Sequence, residues 1–200
     1  MNARAVLAGL AVTFWGIIQS HAYDAEISDA LAAVSLSIPT SASVVICHGF
    51  GCAQRTEIRL GKGDHSKLTA LLATGRGSAA AERGALATAI AWFDRRVGPE
   101  AGTTRRIARA SGITQGGLGQ MDCIDTSRNT TSYFIILDQL RLLRFHQIEA
   151  PVARGFITSP HATAVVRETR GGQKWAFDNW TRNYGEKPDV MPLEKWIAAD

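Results

Sequence analysis

Residues 117–140, GLGQMDCIDTSRNTTSYFIILDQL, run a glycine-containing loop into a long amphipathic stretch, and a cysteine stands at the junction. The spacing predicts a helix from about 123 to 143, with Phe134, Leu137, Leu140 and Phe145 and their neighbours Ile135, Ile136 and Leu143 turned to a core. Asp122 suits the N-cap, and Asp125 complements the dipole in the first turn. A thiol at Cys123 then lies at the positive end of the helix, a field that favours the thiolate.

Downstream, His161 opens the run HATAVVRET and Asp178 sits near the end of KWAFDNW. Both runs read as strands, joined at Gly171-Gly172, with a further strand expected over 149–156. A four-residue loop at 169–172 would pair His161 with Trp180 and put Asp178 diagonally beside His161 on one face; an odd loop would put them on opposite faces. Cysteine, histidine and aspartate brought together this way form a nucleophile, a base and a residue that orients the base. Each has a plain structural alternative: Cys123 as a small buried hydrophobe, His161 as a half-exposed strand residue, Asp178 as a strand end. Trp175, Phe177 and Trp180 fall at both odd and even positions, so they cannot all be core, and one face can screen the His161–Asp178 pair from water. His146 is an alternative base, at what reads as a helix-to-strand junction. An oxyanion donor is also needed; the N–H of Cys123 comes first, with the side-chain amide of Gln120 or Gln115 as candidates.

Upstream, the strongest helix spans 78–97, with Ser78 as N-cap and Leu86, Ile90, Phe93 and Val97 at helical spacing. It is expected to stop at Gly98-Pro99. Shorter helices over 26–34 and 67–73 and strands over 43–47 and 57–60 complete an α+β chain. A Gly- and Arg-rich loop over 99–119 leads to the cysteine, and Arg95, Arg96, Arg105, Arg106 and Arg109 read as a solvated helix end and loop.

Residues 1–22 combine one early positive charge, Arg4, with the apolar stretch AVLAGLAVTFWGII and small residues at Ser20 and Ala22. This is the pattern of a secretory signal, shorter than the roughly 20 apolar residues of a membrane span. The expected mature part, 23–200, is then one exported domain, periplasmic or secreted. With 22 Lys and Arg against 18 Asp and Glu, the charge excess is too small to imply nucleic acid. The three cysteines are consistent with an oxidising compartment. Cys47 and Cys52, in VVICHGFGCAQ, are placed to close a small disulfide, which leaves Cys123 as the free thiol. A metal site built from Cys47, His48 and Cys52 is the alternative.

GQMDCID, PHATAVV and WAFDNW together resemble the bacterial transglutaminase-like cysteine peptidase superfamily, in its periplasmic branch, across 78–180. The resemblance implies a papain-like α+β core with the nucleophile helix packed on an antiparallel sheet, and a Cys123, His161, Asp178 triad that cleaves a peptide or isopeptide bond through an acyl-enzyme. It implies a protein or peptide substrate in the cell envelope. The alternative is a non-catalytic envelope binding module that keeps this fold. The chemistry requires no cofactor. Some periplasmic members hold calcium with acidic residues around the nucleophile, which would place a weak site at Asp122 and Asp125, although Gln120 stands where a third acid is expected. The polar run 126–132 and the CHGFGC loop depart from the superfamily pattern.

Overall fold

The computed structural model describes residues 23–112, 117–155 and 160–199; the expected signal at 1–22, the candidate donor Gln115 and the end of the strand expected to reach 156 lie outside them. Helix α1 (Ala25–Ala32) leads into a hairpin of β1 (Ser43–His48) and β2 (Gln54–Arg59). Helices α2 (Lys62–Ala73) and α3 (Ala79–Ala101) follow, then a long loop and α4 (Cys123–Gln139). The remainder is a four-stranded antiparallel sheet in chain order, β3 (His146–Arg154), β4 (His161–Glu168), β5 (Lys174–Asp178) and β6 (Asp189–Pro192), closed by α5 (Leu193–Ile197). The architecture is α+β, and α4 packs across this sheet. No helix among the described residues is long and apolar enough to cross a membrane.

The consecutive apolar residues of β4 follow from cover on both faces. Ala164, Val166 and Phe177 join the main core beside α3 and α4, whereas Val165 and Ala176 pack with Leu193 and Trp196 of the C-terminal segment. Strand alternation thus sends neighbouring residues into two separate clusters.

Helix α4 is buried along most of its length, including its polar run Thr126, Ser127, Asn129, Thr130, Thr131 and Ser132. Hydroxyls can be tolerated there because several turn back onto their own helix: Thr126 Oγ1 donates to Asp122 O at 3.0 Å, and Thr131 Oγ1 to Ser127 O at 2.9 Å. The helix ends earlier than the expected 143. Arg141 takes φ 56°, and the Leu142 and Arg141 N–H groups close onto Leu137 O and Asp138 O at 3.0 and 2.7 Å. That is a Schellman ending with arginine at the left-handed position, which leaves no glycine to announce it.

Ser78 caps α3 as expected, accepting from Ala81 N–H at 3.1 Å, but the helix does not stop at Gly98-Pro99. Proline at position 99 cannot donate to Arg95 O. The Tyr184 hydroxyl donates to that carbonyl instead, at 3.3 Å, and its ring lies where a Cβ on residue 98 would stand. Glycine at 98 therefore admits the tyrosine that repairs the proline's defect. The basic stretch also differs from expectation at Arg106, which is buried and ion-paired with Asp94 at 2.6 Å.

Candidate active site

The β4–β5 pairing has the register expected from an even turn, with Ala164 opposite Phe177 and Arg167 opposite Lys174. This register sets His161 and Asp178 diagonally on one face. His161 Nε2 lies 2.6 Å from Asp178 Oδ2, and both residues are buried. A carboxylate can only accept here, so Nε2 carries a proton, and in the neutral imidazole Nδ1 is the nitrogen with the lone pair. Among the described residues, His161 Nδ1 and Asp178 Oδ1 have no hydrogen-bond partner.

Two indoles confine the pair. The ring of Trp180 lies 4.7 Å from the His161 ring and that of Trp196 5.2 Å, centroid to centroid. Trp196 Nε1 also donates to Asp178 Oδ2 at 2.8 Å, so one carboxylate oxygen receives both the imidazole and the indole. Arg154 stacks its guanidinium over the Trp196 ring, 4.4 Å from the centroid, and donates to Trp196 O. Nothing in the sequence singles out Trp196 as a site residue. A tryptophan in a short terminal helix gives no local sign that its N–H will meet an aspartate 18 positions earlier.

Cys123 is half-buried at the first position of α4, and it is the free cysteine among the described residues. It lines a cavity of about 420 Å³ together with His161, Ala110, Ile124, Ala162 and Trp180. The structure thus brings Cys123 and His161 to one cavity and Asp178 behind the histidine. The thiol Sγ contacts Pro160 O at 3.8 Å. Its acidity differs from the expectation of a helix-lowered thiol. Burial pushes the Cys123 thiol up, Asp122 and Asp178 add to that, and the N–H groups of Ala162 and Cys123 pull it only partly back. The positive end of α4 is already occupied by the two carboxylates of its own cap.

Asp122 and Asp125 form a reciprocal capping box, and the CHGFGC loop docks onto it. Asp122 Oδ1 accepts from Asp125 N–H at 2.9 Å and Oδ2 from Gly51 N–H at 2.7 Å. Asp125 Oδ1 accepts from Cys52 N–H at 2.6 Å, and Oδ2 from Phe50 and Asp122 N–H at 2.9 and 3.2 Å. All four oxygens hold backbone donors, which leaves few lone pairs toward the six or more oxygen contacts that calcium takes. Burial and the neighbouring Asp122 carboxylate push Asp125 up to about 7, against the pull of those N–H groups.

The disulfide Cys47–Cys52 is present, and both cysteines are buried. Among the described residues the metal-type donors that cluster are Cys47, Cys52 and Asp125, and the disulfide consumes both sulfurs. His48 takes no part in that cluster. Its Nδ1 donates to Leu118 O at 2.5 Å and its Nε2 accepts from Thr56 Oγ1 at 2.9 Å. A metal site of Cys47, His48 and Cys52 therefore does not form.

Gln120 also differs from its expected part. Its Nε2 donates to Arg105 O at 2.9 Å and its Oε1 accepts from Ile107 N–H at 3.1 Å. Both ends of the amide brace the preceding loop, and Gln120 is not among the residues that line the Cys123 cavity. His146, the alternative base, is buried against Glu82 at 2.8 Å and does not line the Cys123 cavity.

The chain matches no family model, no curated protein and no solved structure.

The loop that walls the cavity is held by a buried ion pair. Arg106 donates to Asp94 Oδ2 at 2.6 Å and to the carbonyls of Asn179 and Arg182 at 3.0 and 2.9 Å. Arg109 N–H reaches Trp180 O at 2.8 Å, and Trp180 Nε1 reaches Ala110 O at 2.9 Å. The segment after Asp178 and the loop before Cys123 are thus stitched together across the site.

Proposed function

We propose that this protein is an exported cysteine hydrolase of the transglutaminase-like kind, cleaving a peptide or isopeptide bond through an acyl-enzyme on Cys123. The observation that carries the reading is the convergence of Cys123 and His161 on one cavity, with Asp178 and Trp196 fixing the imidazole so that Nδ1 is left to accept a proton.

In this reaction His161 Nδ1 takes the proton of Cys123 Sγ as the sulfur attacks the substrate carbonyl. The N–H of Cys123 at the start of α4 faces the oxyanion that develops. The carbon–nitrogen bond breaks, the imidazolium returns its proton to the leaving amine, and a thioester remains. Water then attacks, again losing its proton to Nδ1, and releases the acid and the thiol. A thiol held neutral at rest by burial suits this general-base course better than a preformed ion pair. The cavity walls, Ala110, Ile124, Ala162 and Trp180 among them, favour an apolar side chain beside the scissile bond. The disulfide agrees with an oxidising compartment and thus with export.

A second reading, a binding module that keeps the fold, draws on the same raised thiol and its contact with Pro160 O. Alkylation of Cys123 across pH, mapped by mass spectrometry on the non-reduced protein and repeated with His161→Ala, separates the two. The hydrolase should lose about tenfold or more of its labelling rate at neutral pH when the base is removed. Labelling that rises only at or above the ordinary thiol value of about 8.5, and ignores His161→Ala, would leave the binding module.

A further inference from the structure

The loop between Cys47 and Cys52 has an unusual backbone. Gly49, Phe50, Gly51 and Cys52 take φ values of 79°, 69°, 62° and 59°, a continuous left-handed run in which two members are not glycine. Non-glycine residues at such angles carry strain and persist where the surroundings hold them. Here the disulfide closes the loop that contains the run, and Asn129 from inside α4 grips the loop's first residue, accepting from Cys47 N–H and donating to Cys47 O, both at 2.8 Å.

Successive residues wound with one hand point their N–H groups the same way along the turn, as the first turn of a helix does, and so present donors to an anion. The anion is part of the protein. Phe50 and Cys52 N–H point at Asp125, Gly51 N–H at Asp122, and Gly49 N–H at Gln120 O at 2.8 Å. Those acceptors bracket Cys123 on both sides in sequence.

We infer that the disulfide-closed loop 47–52 is a positioning element for the Cys123 thiol. Its N–H groups fix the first turn of α4 and offset the negative charge of the two carboxylates beside the sulfur. The inference rests on the proposed use of that thiol as a nucleophile, but what it predicts belongs to the thiol alone. Among the described residues, the charged and titratable groups around Cys123 are Asp122 and Asp125 in its own cap, Arg128 further along α4, His161 on β4 and Asp178 on β5. Of these, the loop binds only the cap carboxylates, so disturbing it alters one side of the thiol's field and leaves the histidine side in place.

Gly51→Pro removes the donor to Asp122 and forbids the left-handed angle, while position 51 is exposed and has open space around its Cβ. Gly51→Asn keeps the N–H and tolerates the angle. The measurement is the pH–rate profile of iodoacetamide labelling at Cys123 in each folded variant. A change in access scales the rate at every pH and leaves the midpoint still, whereas a change in local charge moves the midpoint.

The midpoint should rise by about half to one unit in Gly51→Pro, a three- to tenfold loss of rate on the low-pH side, and return to the wild-type value in Gly51→Asn. A midpoint in Gly51→Pro that stays at the wild-type value overturns the inference. If Gly51→Pro does not fold, the paired change Cys47→Ser with Cys52→Ser, which keeps every N–H but opens the ring, carries the same test with the same two outcomes. His161→Ala, run in parallel, separates this inference from the hydrolase reading. A midpoint moved by Gly51→Pro but not by His161→Ala keeps the loop's role and removes the hydrolase.

Discussion

Replacing Trp196 with phenylalanine takes away one N–H and little else. The indole is 1% exposed, and its Nε1 donates at 2.8 Å to the Asp178 oxygen that also holds His161. Asp178 Oδ1 already lacks a partner among the described residues, so the buried carboxylate would be left with the imidazole alone. A hydrogen bond to a charged group contributes about 1.5–3 kcal/mol, and the smaller ring leaves a void costing about 1 kcal/mol more. The sum, about 2.5–4 kcal/mol, corresponds to a fall in Tm on the order of 5–15 °C for a chain of this size. The assay is thermal unfolding followed by near-ultraviolet circular dichroism, with Trp196→Phe, Asp178→Asn and the double variant compared. Because the two residues share one bond, the cycle should show a coupling of about 1–2 kcal/mol. A fall of less than about 2 °C in Trp196→Phe, with additive effects in the double variant, would refute the view that Trp196 holds the carboxylate.

Two further outcomes follow from buried charge. Burial raises Glu82, but the hydrogen bonds from His146 and from the Phe145 and Arg144 N–H groups outweigh it and leave the carboxyl below its usual range. A lowered carboxyl contributes stability above its unfolded value of about 4.5, lost as pH falls through the folded one. Denaturant titrations should therefore show Glu82→Gln less stable than wild type at pH 7, with the gap closing below about pH 4. Arg106→Ala strands Asp94 in the core and should destabilise by about 3–5 kcal/mol in the same titration, whereas Arg105→Ala should stay within about 0.5 kcal/mol.

The β4–β5 face was legible because the alternation of strand side chains turns a loop length into a geometry: an even turn at 169–172 is enough to place His161 beside Asp178. Ser78 and Asp122 were legible as caps for a similar reason, since their oxygens reach N–H groups a fixed few residues ahead. What escaped was set by partners far along the chain. Pro99 reads as a stop until Tyr184 arrives to take the carbonyl it frees. Arg106 reads as solvated until Asp94 and the carbonyls after Asp178 surround it. Gln120 reads as a free amide until the backbone at 105–107 claims both its ends. The lowering of the Cys123 thiol was argued from the helix alone. The field of α4 at that point is spent on its own cap, and burial then decides the direction.

The two sides of the site also differ in how far apart in the chain their contacts lie. His161 meets Asp178 across 17 residues, and Trp196 meets Asp178 across 18, distances that one hairpin and its short continuation supply. The loop meets the start of α4 across 71 to 82 residues, spanning α2, α3 and the whole Arg-rich loop. Closing a longer loop costs more chain entropy, growing with the logarithm of its length, so anchoring the sulfur costs about 1 kcal/mol more in closure than seating the base. The imidazole is thus held by local connectivity, whereas the first turn of α4 is held by contacts that exist only when the distant halves of the domain are assembled.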